Sequence, residues 1–305
     1  MKMQNTRRAG FSSLLLVFML IGLSSGIARA QSTQPGGVAY YPSLDARPVN
    51  EYYAGLTFIP DTTFEGTLGD TSRTDLDTTW RYYSSDQFMM GTLDVDLVFG
   101  LITYGDDLGI DLPEQLLTLS AEFTAVWRYT GGYALQFGIR PGIFADMDAL
   151  ETDSIFVPFS GYFLKRLTPH VSAIAGAEIR PGFGMGVLPT LALDWEVSDT
   201  VLLRLGIPET RLDVALDRGF ATYVRVEQES DSFGLDDEEA FARDAMTLEH
   251  MGAAVGFTMD LHNDFNAGVE LGGRFNSDIE FEVLGPSDIE VDSSAYVRFF
   301  VQRPF

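Results

Sequence analysis

The stretch Tyr133-Ala-Leu-Gln-Phe-Gly-Ile-Arg140 alternates without a break. In an extended chain Tyr133, Leu135, Phe137 and Ile139 share one face, and Ala134, Gln136, Gly138 and Arg140 share the other. A helix would scatter these apolar residues around its axis, whereas a strand gathers them. The same period recurs along the chain. Phe123 and Trp127 oppose Glu122 and Arg128, and Leu93, Val95, Leu97 and Phe99 oppose Asp94 and Asp96. Met251, Ala253, Val255, Phe257 and Met259 oppose His250, Gly252, Ala254, Gly256 and Thr258. Phe265, Ala267, Val269 and Leu271 oppose Asn266, Gly268, Glu270 and Gly272.

Alternation alone also fits a soluble antiparallel sheet with one wet face. Strand length and link length argue for a membrane barrel instead. The runs extend ten residues or more, where soluble strands average about 5–6. Fourteen candidate strands lie near 51–60, 75–83, 88–99, 116–128, 132–144, 155–166, 170–181, 186–196, 200–207, 210–217, 219–229, 245–261, 264–276 and 294–303. Links after even-numbered strands are short and rich in turn residues, as in Ser84–Gln87, Tyr129–Gly132, Leu167–Pro169 and His262–Asp264. Most links after odd-numbered strands are long: 61–74, 100–115, 145–154, 230–244 and 277–293. Tight turns on one side and long loops on the other are the pattern of a transmembrane barrel. The expected fold is all-β: an antiparallel up-and-down barrel of about fourteen strands, with twelve as the alternative.

An export signal precedes this array. Arg7 and Arg8 lead an apolar run from Leu14 to Leu23, and Ala28-Arg29-Ala30 is a small-x-small cleavage site. Residues 1–30 therefore read as a secretory signal cleaved after Ala30, 31–50 as a loose lead-in or plug, and 51–305 as the barrel. The chain has no cysteine, which excludes a lipid-anchored lipoprotein and a disulfide framework. Its formal charge is −24, and cleavage removes Lys2, Arg7, Arg8 and Arg29 but no acid. So acidic a chain is a poor fit for nucleic acid, whose phosphates need a basic surface.

The motif Gly138-Ile-Arg-Pro-Gly-Ile-Phe144 recurs as Glu178-Ile-Arg-Pro-Gly-Phe183, forty residues on, the length of two hairpins. Proline inside a strand is disfavoured, so both sites read as rim bulges or strand ends. The final run, Ser293 to Phe305, needs a partner for its edge, and closure onto the first strand supplies one. Val297, Phe299 and Val301 would then face lipid, alternating with Arg298 and Gln302. Phe305, a terminal aromatic, resembles the assembly signal of bacterial outer-membrane barrels and implies the barrel assembly machinery and outer-membrane lipid as partners.

Two segments, Val157–Ser172 and Leu188–Trp195 continuing through Leu205–Leu212, resemble a family of uncharacterised bacterial outer-membrane β-barrel proteins, a domain of unknown function. The likeness covers roughly residues 80–303 and rests on glycine and proline placement. It implies an outer-membrane location and a barrel, and brings no catalytic residues with it.

The candidate lumen-facing residues are Asp94, Asp96, Glu122, Arg128, Arg140, Glu178, Arg180, Arg204, Arg225, Glu227, Glu270, Arg274 and Arg298. They either select solutes in a water-filled lumen or form salt bridges that stiffen the barrel. Counted over 61–75, 100–115, 145–154, 230–244 and 277–293, the five long loops carry 24 acids against Arg73 and Arg243. Such a mouth would concentrate cations within a Debye length of ~8 Å, or stand as a solvated surface. Divalent cations could bridge it to anionic headgroups. Asp146, Asp148, Glu151 and Asp153 lack the central glycine and final glutamate of a helix-loop-helix calcium site. No cofactor is expected. Catalysis is not expected either: of the three histidines, His262 sits in a turn, His170 starts a strand, and His250 faces inward without an aligned Glu249. The expected function is a passive, porin-like channel for small solutes with an acidic mouth. The alternative is a closed or plugged barrel with a structural or adhesive role.

Overall fold

The computed structural model describes residues 50–63, 70–105, 113–147, 154–181, 186–216, 219–235, 245–261, 264–281 and 289–304. Residues 1–49, which take in the expected export signal and nearly all of the expected lead-in at 31–50, and Phe305 lie outside the described residues.

These residues form fourteen antiparallel strands in chain order. They are β1 (Asn50–Thr63), β2 (Asp70–Phe88), β3 (Gly91–Tyr104), β4 (Gln115–Tyr129) and β5 (Tyr133–Ile139, resuming as Gly142–Asp146). Then come β6 (Ile155–Phe156, resuming as Phe159–Thr168), β7 (Val171–Ile179), β8 (Val187–Ser198), β9 (Val201–Ile207) and β10 (Glu209–Ala215). The last four are β11 (Phe220–Gly234), β12 (Ala245–Asp260), β13 (Asn266–Phe281) and β14 (Ile289–Val291, resuming as Ser294–Pro304). Each strand pairs with the next, and β14 returns to β1 with Gly55 opposite Phe300 and Phe58 opposite Val297. The sheet is closed, so no edge is left to expose.

The sequence alternation maps onto the wall. Leu191, Leu271, Phe299, Val255 and Phe137 are all more than half exposed, while Arg225, Glu270 and Gln302 are at most 2% exposed. A soluble domain inverts this arrangement. Greasy outside and charged inside is stable only where hydrocarbon covers the wall and the strands satisfy their own backbone groups. Aromatic residues gather at the tight-turn end, among them Trp80, Tyr82 and the stacked pair Tyr129–Tyr133, with ring centroids 4.8 Å apart. That is the belt expected at a membrane–water interface.

Inward glycines make room for aromatic rings on neighbouring strands. Tyr223 lies across its partner Gly256, and Tyr296 across Gly272. A Cβ at either glycine would overlap the tyrosine ring. Covering a glycine with an aromatic ring repays the packing a bare strand position lacks, and it fixes register.

Three sequence expectations need correction. The link at 84–87 is part of β2, whose ladder with β3 continues through Ser84–Asp94 and Ser85–Leu93 to Phe88–Gly91. The turn is Met89–Met90 instead, with φ of 46° and 66°, and Trp127 Nε1 donates to the Met89 carbonyl at 3.2 Å. Cross-strand pairing outweighed the turn preference of the serines. A two-residue turn with both φ positive favours Asn-Gly, so Met89→Asn with Met90→Gly should stabilise the barrel by about 1 kcal/mol, read as a higher urea midpoint in lipid vesicles.

The two Arg-Pro sites also differ from each other. At Arg180-Pro181 the strand ends, but at Arg140-Pro141 it is only interrupted and resumes on the same register with β4. Finally, several acids assigned to long loops lie in strands, because the ladders run further than the alternation suggested. Asp75 is in β2, Asp146 in β5, Asp231 in β11, and Asp278 and Glu280 in β13.

Candidate functional site

Fourteen tilted strands enclose more volume than eight-stranded barrels, which their side chains fill, and less than sixteen-stranded porins. Here the interior divides into a paired-charge middle and an apolar plug at the long-link end.

Each inward position comes from the period of two, and cross-strand neighbours bring opposite charges together. On one wall Arg81 of β2 grips Asp96 of β3 through two bonds of 2.9 Å, with Asp94 at 3.9 Å. Asp75 accepts from Arg73 at 2.7 and 3.1 Å and from Arg274 of β13 at 3.0 Å. Glu122 has Thr124 as a hydrogen-bond donor at 3.4 Å. Around the wall, Glu178 of β7 meets Arg180 at 3.1 Å and Arg140 at 3.6 Å, and Arg180 donates to the Ser230 carbonyl of β11. Arg204 of β9 holds Asp194 of β8 at 2.6 and 2.8 Å and lies 3.9 Å from Glu209. Arg211 pairs with Asp213 at 2.8 Å.

The most connected group is Glu270 of β13. Arg225 donates to it at 2.9 and 2.8 Å, Tyr223 at 2.6 Å and Tyr296 at 2.9 Å, while Arg298 lies 3.6 Å away. Arg225 also pairs with Glu227, and Arg298 donates to Thr57 of β1 at 2.7 Å. These bonds tie β11, β13, β14 and β1 together across the barrel seam. A carboxylate buried to this depth is stable only because donors saturate it.

Of the sequence candidates, Asp94, Asp96, Arg180, Arg225, Glu227, Glu270, Arg274 and Arg298 are buried in the interior, and Glu122, Arg140, Glu178 and Arg204 are half-buried there. Arg128 sits near the tight turn that follows β4 and is exposed. In β14, Val297, Phe299 and Val301 alternate with the buried Arg298 and Gln302. Sequence reasoning passed over Arg73, Asp75, Asp77, Arg81, Arg211, Asp213 and the pair His250–Glu229 at 2.9 Å. Asp75, Asp77 and Arg81 share one parity within the candidate strand 75–83, and that alternation is the signal that could have found them.

At the long-link end Ile102, Tyr104, Leu116, Phe144, Phe233, Met246, Leu248 and Ile279 form one buried cluster drawn from β3, β4, β5, β11, β12 and β13. Gly234 of β11 pairs in parallel with Ala145 of β5. Those strands stand six apart around the wall, so this bridge crosses the lumen. The resumed part of β5 is buried on both faces at Phe144, Ala145 and Asp146, which accounts for the break at Pro141: the strand leans inward over the opening. Beneath the cluster lies a cavity of about 380 Å³, lined by Tyr53, Asp77, Glu122, Arg140, Asp231 and Arg274 among others.

No family model matches the chain, and no curated protein matches it. Among solved structures, the outer membrane channel from Pseudomonas putida F1 is 12% identical, over 90% of this chain and all of that one, with a TM-score of 0.41. The Pseudomonas putida toluene transporter TodX is 10% identical, over 85% of this chain and 89% of that one, at 0.36. A variant Rh. blastica porin is 9% identical, over 81% and 99%, at 0.27. Likenesses of this size say nothing about what this chain carries.

Proposed function

We propose that the chain is a bacterial outer-membrane channel for small polar solutes, closed at rest. Its long links lie outside and its tight turns in the periplasm. The observation that supports this reading is the charge-lined cavity of about 380 Å³ beneath an apolar constriction, within a wall whose outer face is hydrocarbon-compatible. Hydrophobic constrictions gate by dewetting, and charged rings below them select solutes. The acids of the outer links add a cation preference that high salt screens away. Insertion uses outer-membrane lipid and the barrel assembly machinery, with Phe305 as part of the signal, and no catalytic role is proposed.

Single-channel recording in planar bilayers tests this. The channel reading expects brief ohmic steps with cation preference at low salt. Silence under all voltages favours the second reading, a closed structural barrel, which the density of interior ion pairs also suits. Arg140→Glu should move the reversal potential toward that of a cation-selective pore by about 10 mV or more in a tenfold salt gradient, because it reverses a charge on the cavity wall. Arg140 is half-buried and Glu178, its partner at 3.6 Å, keeps Arg180 at 3.1 Å, so heat-resistant folding should survive. An unchanged reversal potential would remove Arg140 from the conducting path.

A further inference from the structure

The cavity holds a niche that the paired-charge lattice does not use. Asp77 of β2 stands opposite Gly55 of β1 on one side and Gly100 of β3 on the other. Neither neighbour has a side chain of its own, and a Cβ at Gly100 would come within 3.6 Å of Asp77 Oδ1. Among the described residues no hydrogen bond or ion pair reaches that carboxylate. The hydroxyl of Tyr53 folds over Gly55 beside it. Tyr53 is 2% exposed, lines the cavity, and its Oη has no hydrogen-bond partner among the described residues.

The rest of the lining gives the sign of the missing partner. Arg73 and Arg274 are committed to Asp75, Arg81 to Asp96, Arg140 and Arg180 to Glu178, and Arg298 to Thr57 and Glu270. The surplus on the cavity wall is carboxylate, led by Asp77. Among the described residues no three metal-ligating groups converge, so the negative charge is spread along the wall and not gathered into a cage. Such spreading suits an extended organic cation better than a bare divalent ion. One donor also stands ready: Arg274 Nη1 is buried, lines the cavity and has no hydrogen-bond partner.

We infer that the niche of Asp77 and Tyr53, between Gly55 and Gly100, binds the ammonium group of a small amine solute carrying a hydroxyl or carbonyl acceptor. The ammonium sits on the Asp77 carboxylate and the Tyr53 oxygen, and the acceptor faces Arg274. A volume of about 380 Å³ lies within the range of small-molecule sites, so a solute of amino-alcohol size is held with room for water.

This assignment rests on the channel reading, so the test measures binding apart from transport. Ethanolamine, glycerol, acetate and magnesium are titrated calorimetrically into the folded barrel in detergent. Ethanolamine should bind at least about tenfold more tightly than glycerol or acetate, and Asp77→Asn should weaken it by about tenfold or more. Tyr53→Phe should weaken it by a smaller factor. Gly100→Ala, which narrows the niche and keeps the charge, should also weaken it, and Glu196→Gln at the exposed tight-turn end should not. Heat-modifiable gel mobility verifies that each variant is folded. Equal binding of glycerol, binding of magnesium alone, or an Asp77→Asn affinity equal to that of the parent would overturn the site. If recordings are silent while Asp77→Asn still abolishes ethanolamine binding, the site stands and the channel reading falls.

Discussion

Glu270→Ala should cost the barrel about 3–5 kcal/mol, the usual effect of removing one partner from a buried ion pair. The carboxylate accepts from Arg225, Tyr223 and Tyr296 and neighbours Arg298, and it is 1% exposed. Alanine would leave Arg225 with Glu227 alone, Arg298 with Thr57 alone, and two tyrosine hydroxyls unpaired in the lumen. The loss falls on the seam, because these groups join β11 and β13 to β14, which closes onto β1. Urea unfolding from lipid vesicles checks it. Glu270→Gln keeps one acceptor oxygen but loses the charge and replaces the other oxygen with an amide donor, so it should fall between parent and alanine. An alanine midpoint matching the parent would mean the lumen is wet enough to solvate both arginines, and the interior would be an open pore.

Phe144→Ala with Phe233→Ala should raise unitary conductance by roughly threefold or more, because a hydrophobic constriction blocks ions by excluding water. Phe144 and Phe233 are 3% and 2% exposed, and they sit in the cluster that spans the lumen under the Gly234–Ala145 bridge. Both rings point inward, away from lipid, so their loss widens the passage more than it disturbs the wall. The double variant also loses packing, so recordings belong beside a heat-mobility assay. Folded protein with parental conductance would show that the gate lies elsewhere along the lumen.

Much of the wall was legible in the chain itself, for a simple reason. A strand in hydrocarbon must put apolar groups outward at every second residue, so Leu135, Phe137 and Ile139 announce both secondary structure and orientation. The parity of link lengths carried the up-and-down order. The terminal run Ser294–Pro304 indicated closure, because its backbone needs a partner in lipid. Strand ends were harder to read: Asp75, Asp231 and Asp278 lie where strands continue beyond the apolar alternation, and there only the ladder with the neighbour distinguishes strand from loop. The Met89–Met90 turn was missed for a related reason. Its residues have no turn preference, and the register of β2 against β3 places them.

Alternation is a local property, dictated by each strand meeting lipid on one side, and so the fold class and inward parity follow from the order of residues along the chain. Some partners inside the lumen stand two residues apart on one strand, as Arg211 and Asp213 do, but those that join distant strands are far apart in the chain: Arg298 meets Thr57 across 241 residues, and Arg274 meets Asp75 across 199. Shear and closure decide which inward residues come level with one another, and neither leaves a trace in local periodicity. The lean of β5 across to β11, the apolar plug beneath it and the two-glycine niche around Asp77 all arise from that three-dimensional register.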